Sequence, residues 1–223
     1  MVGCVQFIVL TTIAMFYYPG GTYTNHDTVG YSFWSNFFSD LGRRATFSGD
    51  SNTVSHILFV IALCFAALVL ALAFAALPQL FIKVKPSRRL AVLGSIVGII
   101  SVISYIGIAA LPADIHQPMH KLFVYIAFTA FLLVVALYSA AILRHKYYPN
   151  IYAYTYLAFA VILALYLVLL FAGPKVDTAW GIRLQSTGQK IVVYAEIVCM
   201  FIQSYGAFRL LKRSFRARNN CDH

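Results

Sequence analysis

Six apolar runs alternate with short polar breaks along the chain, at about residues 2–18, 54–82, 89–111, 119–143, 151–172 and 189–211. A helix rises about 1.5 Å per residue and needs roughly 20 apolar residues to cross the hydrocarbon layer of a bilayer. The pattern therefore predicts an all-α fold: a polytopic integral membrane protein built as a six-transmembrane-helix bundle. Helix breakers fall between the runs, at Pro19-Gly20, Pro86, Pro112, Pro149 and Gly173-Pro174. Residues 1–211 read as one membrane domain and 212–223 as a basic tail.

The longest connection, residues 19–53, has a pattern of its own. Val29, Phe33, Trp34, Phe37, Phe38 and Leu41 recur at helical spacing, with Ser32, Ser35, Asn36, Ser39 and Asp40 on the other side. This predicts a short amphipathic helix over 29–41, lying in the membrane interface. Gly42 would cap it, and Arg43 and Arg44 suit the negative end of its dipole. In the third apolar run, Gly94, Gly98, Ser101, Ser104 and Gly107 form a stripe of small residues, expected to be a helix-packing seam.

Composition supports the membrane reading. The chain is 61% hydrophobic and 11% charged, whereas soluble domains carry roughly 25% charged residues. A net charge of +10 would suit nucleic acid on a polar protein. Here the basic residues sit in short breaks between apolar runs, so membrane topology accounts for them and no nucleic-acid partner is expected. Eleven Lys and Arg flank one set of helix ends: Lys83, Lys85, Arg88, Arg89, Arg144, Lys146, Arg209, Lys212, Arg213, Arg216 and Arg218. Six flank the other: Arg43, Arg44, Lys121, Lys175, Arg183 and Lys190. The richer side is expected inside, which puts both termini in the cytoplasm and the first loop in an extracellular, periplasmic or lumenal space.

The start of the chain reads as a retained helix without a cleavage site, and Val2 breaks the myristoylation pattern. Cys4, Cys64, Cys199 and Cys221 form no disulfide framework. Neither a phosphate-binding loop nor a dinucleotide fingerprint occurs.

With this topology Asp27, Asp40, Asp50, Asp114 and Asp177 gather on the outer side, together with His26, His56, His116 and His120. His56 begins the second run and His120 the fourth, at similar depth. Neutral imidazoles on neighbouring helices suit zinc, so His56, His116 and His120 are the candidate metal ligands, with Asp114 or Asp40 as proton-handling carboxylates. Pro118 interrupts the His116 to His120 spacing and is expected to open the fourth helix, leaving His116 in the preceding loop. Asn36, Ser39 and Asp40, with Asn52, form a second candidate group for binding a ligand and are expected to meet His56. Glu196 is the one acid well inside an apolar run, a ligand-binding candidate with His56 or hydroxyls on neighbouring spans on the Tyr194 side as expected partners.

The run Asn36-x-x-Ser39-Asp40-Leu41-Gly42, followed by Asn52 and an apolar helix, resembles the family called domain of unknown function 998, within the wider Frag1/DRAM/Sfk1-like group. His120 at the outer start of a later helix fits the same pattern. The resemblance implies a multi-helix membrane protein tied to lipid-linked processes. A second likeness is to the alkaline ceramidase and progestin-receptor-like zinc hydrolases, through Asn52-x-x-x-His56, Asp114 and His116-x-x-x-His120. Asn52 stands there in place of serine, Pro118 splits the second pair, and six runs stand in place of seven.

The expected function is binding of membrane lipids, or of a protein partner or second copy of the chain, through the outer His/Asp site. A zinc-dependent hydrolase of a lipid amide or ester is the alternative. Haem ligation by His56 and His120 is a third reading.

Overall fold

The computed structural model describes residues 1–219, with side chains through Lys212. Six helices follow in order: α1 (Val2–Phe16), α2 (Thr53–Ala76), α3 (Lys85–Ala110), α4 (Gln117–Leu143), α5 (Ile151–Ala172) and α6 (Ala179–Asn219). Two 3-10 turns accompany them, Phe38–Gly42 and Leu77–Phe81. Among the described residues there is no strand, only the isolated bridges Gly20 to Val29 and Ala45 to Ser51.

Five segments are long and apolar enough to cross a membrane: Thr53–Phe81, Lys85–Ala110, Gln117–Leu143, Ile151–Ala172 and Ala179–Lys212. The sixth helix, α1, has 15 residues and rises only about 22 Å. Large apolar side chains lie exposed on the outside of the bundle, Ile61, Leu68 and Leu72 of α2 and Leu165 and Val168 of α5 among them, as a hydrocarbon surround requires.

Local sequence sets the helix starts. His116 caps α4, its Nδ1 accepting from Met119 N at 3.4 Å, with Pro118 in the first turn where its missing N–H costs nothing. Thr178 does the same for α6, its Oγ1 accepting from Gly181 N at 3.0 Å. That cap starts α6 at Ala179, ten residues before the apolar run read from the sequence, and carries Gln185 and Ser186 into the helix ahead of Gln189 and Lys190. At the other end α6 continues through residue 211 to Asn219, so the expected tail begins as helix. Cys221, Asp222 and His223 lie outside the described residues.

Each helix packs against its neighbours in the chain, and α1 closes the ring onto α6 over a short stretch. The small-residue stripe of α3 is a packing seam. A Cβ on Gly98 would lie 2.6 Å from the Phe74 ring of α2, and one on Gly107 would lie 2.6 Å from the Phe123 ring of α4. Ser101 Oγ donates to Ala127 O across the same seam at 3.0 Å. Small side chains let the backbones approach and the hydroxyl satisfies itself against the neighbouring helix.

The first loop corrects the expectation of an amphipathic helix over 29–41. Residues 33–35 form a turn, and only Phe38–Gly42 is helical, as a 3-10 turn. Polar side chains supply the backbone with other partners. Asn36 Oδ1 accepts from Ser32 N at 2.9 Å, Asp40 Oδ2 accepts from Phe37 N at 2.8 Å, and Gly30 adopts a positive φ of 67°. Asn, Asp and Ser compete with the helix for backbone groups in this way. The apolar residues separate accordingly: Phe38 and Leu41 are buried in the bundle, while Val29 and Trp34 stay exposed.

Candidate functional site

The segment Asn36–Gly42 sits at the centre of a clamp that joins the first loop to α2, α6 and the turn before α4. Asn36 is wholly buried, and its Nδ2 donates to Gly21 O at 3.0 Å and to Asp40 Oδ2 at 3.3 Å. Burial pushes the Asp40 carboxyl above its ordinary range, opposed by the Phe37 N–H, Arg43, Asn36 and Lys190. From α6, Ser186 Oγ donates to Trp34 O at 2.6 Å, Gln189 Oε1 accepts from Phe38 N at 2.8 Å, and Lys190 Nζ donates to Asn36 O. The Lys190 ammonium also lies 5.4, 5.2 and 5.8 Å from the ring centres of Tyr31, Phe33 and Phe38. A buried lysine needs such company, one carbonyl and several ring faces, to offset lost hydration.

From α2, Asn52 Nδ2 donates to Leu41 O at 3.0 Å and Arg43 O at 2.9 Å, Ser55 Oγ donates to Leu41 O at 3.3 Å, and His56 Nδ1 lies 2.7 Å from Gly42 O. Asp114, in the turn before α4, accepts from the N–H groups of Arg44 and Ala45 at 3.0 Å each. His120 Nδ1 lies 2.8 Å from Leu111 O, so the ring holds its own turn. Its Nε2 is buried without a hydrogen-bond partner.

The predicted site residues thus separate into two groups. Asn36, Asp40, Asn52, His56 and Asp114 are brought together around residues 36–45. His116 and His120 instead bind their own helix start and turn, with His116 exposed. Among the described residues no three His, Cys, Asp or Glu side chains group closely enough to hold a metal ion. Glu196 meets a hydroxyl of another span rather than His56: the Tyr105 hydroxyl of α3 lies 2.8 and 3.0 Å from its two carboxylate oxygens.

Two cavities flank the clamp. The inner one, about 140 Å³, runs from Ser39 past Phe59, Tyr105 and Glu196 to Ser204, and its walls are almost wholly apolar. The outer one, about 420 Å³, lies among the first loop, the start of α4 and the turn between α5 and α6. Its polar lining includes Asp40, Arg43, His120, Lys121 and Lys175. Ser39, Val124 and Gln189 line both, so the cavities abut at these three side chains.

The family model for proteins of unknown function termed DUF998 matches residues 1–185. The chain belongs to the DUF998 family. The comparisons with curated proteins and with solved structures give no significant match. The DUF998 match takes in Asn36–Gly42, Asn52, His56, Asp114 and His120. Ser186, Gln189 and Lys190 lie just beyond it, and sequence reasoning missed them as partners of the motif. The signal was present as Gln185/Gln189 and Ser186/Lys190, two polar pairs at four-residue spacing that interrupt an apolar helix.

Proposed function

We propose that this chain is a six-span membrane protein that binds one lipid molecule, its headgroup in the outer cavity and an acyl chain in the inner one. The observation that carries this reading is the junction: a polar cavity and an apolar cavity share Ser39, Val124 and Gln189 as common wall. An amphiphile needs both environments side by side, a polar mouth with fixed partners and a dry chamber below it. The segment Asn36–Gly42 supplies Ser39 to that junction, and bonds from Asp40 and Asn52 hold the loop that roofs it.

The first loop faces the outer side and both ends the cytoplasm, in keeping with eleven Lys and Arg at one set of helix ends against six at the other. The short α1 is the sixth span, seated at the edge of the inner cavity through Gly3, Cys4 and Phe7.

Native mass spectrometry of the purified protein tests the reading. Wild-type protein is expected to retain about one phospholipid per chain after delipidating detergent washes. Val124→Trp at the junction and Val193→Phe in the chamber are each expected to lose it while keeping a cooperative thermal transition. Retention undiminished in both folded variants would refute the bipartite site. Labelling of a cysteine placed at Ser48 from outside sealed cells checks sidedness, and labelling only from the cytoplasmic face would reverse the topology.

A further inference from the structure

We infer that the headgroup taken by the outer cavity is anionic, a phosphoryl group carried on a lipid; this rests on the lipid-binding reading above. Three cations from three separate elements line the cavity: Arg43 of the first loop, Lys121 of α4 and Lys175 of the turn between α5 and α6. The acids among the lining residues are Asp40 and Asp177. Asp40 is committed inside the loop, its Oδ2 accepting from Phe37 N and Asn36 Nδ2, so the cations outnumber the acids left to meet a ligand.

Arg43 is set as a fixed recognition group. Its Nε donates to Ala45 O at 3.1 Å and its guanidinium lies 3.9 Å from the Phe47 ring centre, which orients the plane. The terminal nitrogens of the fork remain for an oxyanion, the geometry that suits guanidinium to phosphate. Phe47 lines the same cavity, so the stacked pair forms one of its walls. Lys121 and Lys175 are exposed and flexible, and they add charge without fixing geometry. Below them the apolar chamber begins at Ser39 and Val124, where the acyl part of the same molecule would enter. A free anion satisfies the cations alone, whereas a phospholipid satisfies both cavities.

The test uses the full chain in detergent, with equimolar dioleoyl-phosphatidylglycerol and dioleoyl-phosphatidylcholine competing for the site in native mass spectrometry. Phosphatidylglycerol is expected to dominate, by roughly five-fold for each lysine engaged. The double variant Lys121→Gln/Lys175→Gln, both at exposed positions, is expected to bring the two lipids near parity, and a preference for phosphatidylglycerol as strong as in wild type would overturn the part given to the two lysines. Equal occupancy of the two lipids in wild-type protein would overturn the anionic headgroup and leave lipid binding standing. Retention of neither would overturn the lipid reading itself. Inorganic phosphate at millimolar concentration is expected to give no thermal stabilisation. Stabilisation by phosphate equal to that by phosphatidylglycerol would overturn the lipid as the source of the anion.

Discussion

The two ends of the helix ring are held by different physics. At the first-loop end, side chains of α2, α6 and the turn before α4 bond directly to loop backbone, through Asn52, Ser55, His56, Asp114, Ser186, Gln189 and Lys190. At the opposite end rings stack on rings. Phe81 lies 5.4 Å from Tyr148 at an interplanar angle of 11°, with His145 at 5.5 Å and Tyr138 at 6.2 Å. Connection length explains the contrast. The loop over 17–52 closes its own turns with backbone hydrogen bonds, but peptide groups of Trp34, Asn36, Phe38, Leu41, Arg44 and Ala45 are also met by side chains from other elements, as buried backbone requires. The short turns at the other end leave little backbone to satisfy, so dispersion and shape suffice.

Substitutions at each end separate these mechanisms. The largest loss is expected from Phe81→Ala, which empties a fully buried site in the ring stack and should cost about 3–5 kcal/mol. Thermal unfolding in detergent measures it, and protease resistance of the first loop should persist until the whole bundle melts. Asn36→Ala is next, at about 2–3 kcal/mol, because it strands Ser32 N and Gly21 O in a buried setting. There the loop should be cut well before global unfolding; simultaneous loss of loop and bundle would contradict a local clamp.

His56→Ala should cost about 1 kcal/mol, the loss of one bond to Gly42 O beside several that remain. A loss above 3 kcal/mol would assign His56 a larger part than this bond. The smallest effect concerns pH and Asp40. Its carboxyl titrates above its ordinary 3.8 in the folded chain, so the native state holds more protons than the unfolded one across that interval. Stability should therefore fall as pH rises from 3.8 through the elevated folded value, and Asp40→Asn should flatten that slope. An unchanged slope in the variant would place the dependence elsewhere.

The helices were legible because a bilayer imposes a length on each apolar run, and α2 to α6 keep to it. The start of α6 was not, because Thr178 caps the helix ahead of the apolar run and residues 179–188, Gln185 and Ser186 among them, fell outside that run. The motif Asn36–Gly42 was visible as a pattern, but its conformation was not. Helical spacing of its aromatic residues was outweighed by the side chains of Asn36 and Asp40 taking the backbone N–H groups of Ser32 and Phe37. Its partners on α6 lay about 150 residues away in the chain, where no periodicity reports a contact. Glu196 was visible as the acid inside an apolar run, but which hydroxyl it meets was not, because its bond to Tyr105 joins α6 to α3.

That separation has a consequence for biogenesis. The first loop leaves the ribosome early, whereas Ser186 and Gln189, which close on Trp34 and Phe38, follow 152 and 151 residues later. Until the last helix inserts, the loop has its bonds to Asn52, Ser55, His56 and Asp114 but lacks the groups that fasten Trp34, Asn36 and Phe38, and that part stays open to water, proteases and chaperones. Closure of the loop is therefore a report that synthesis has reached its final span. A chain arrested after α5 should carry five inserted helices beneath an unsealed loop.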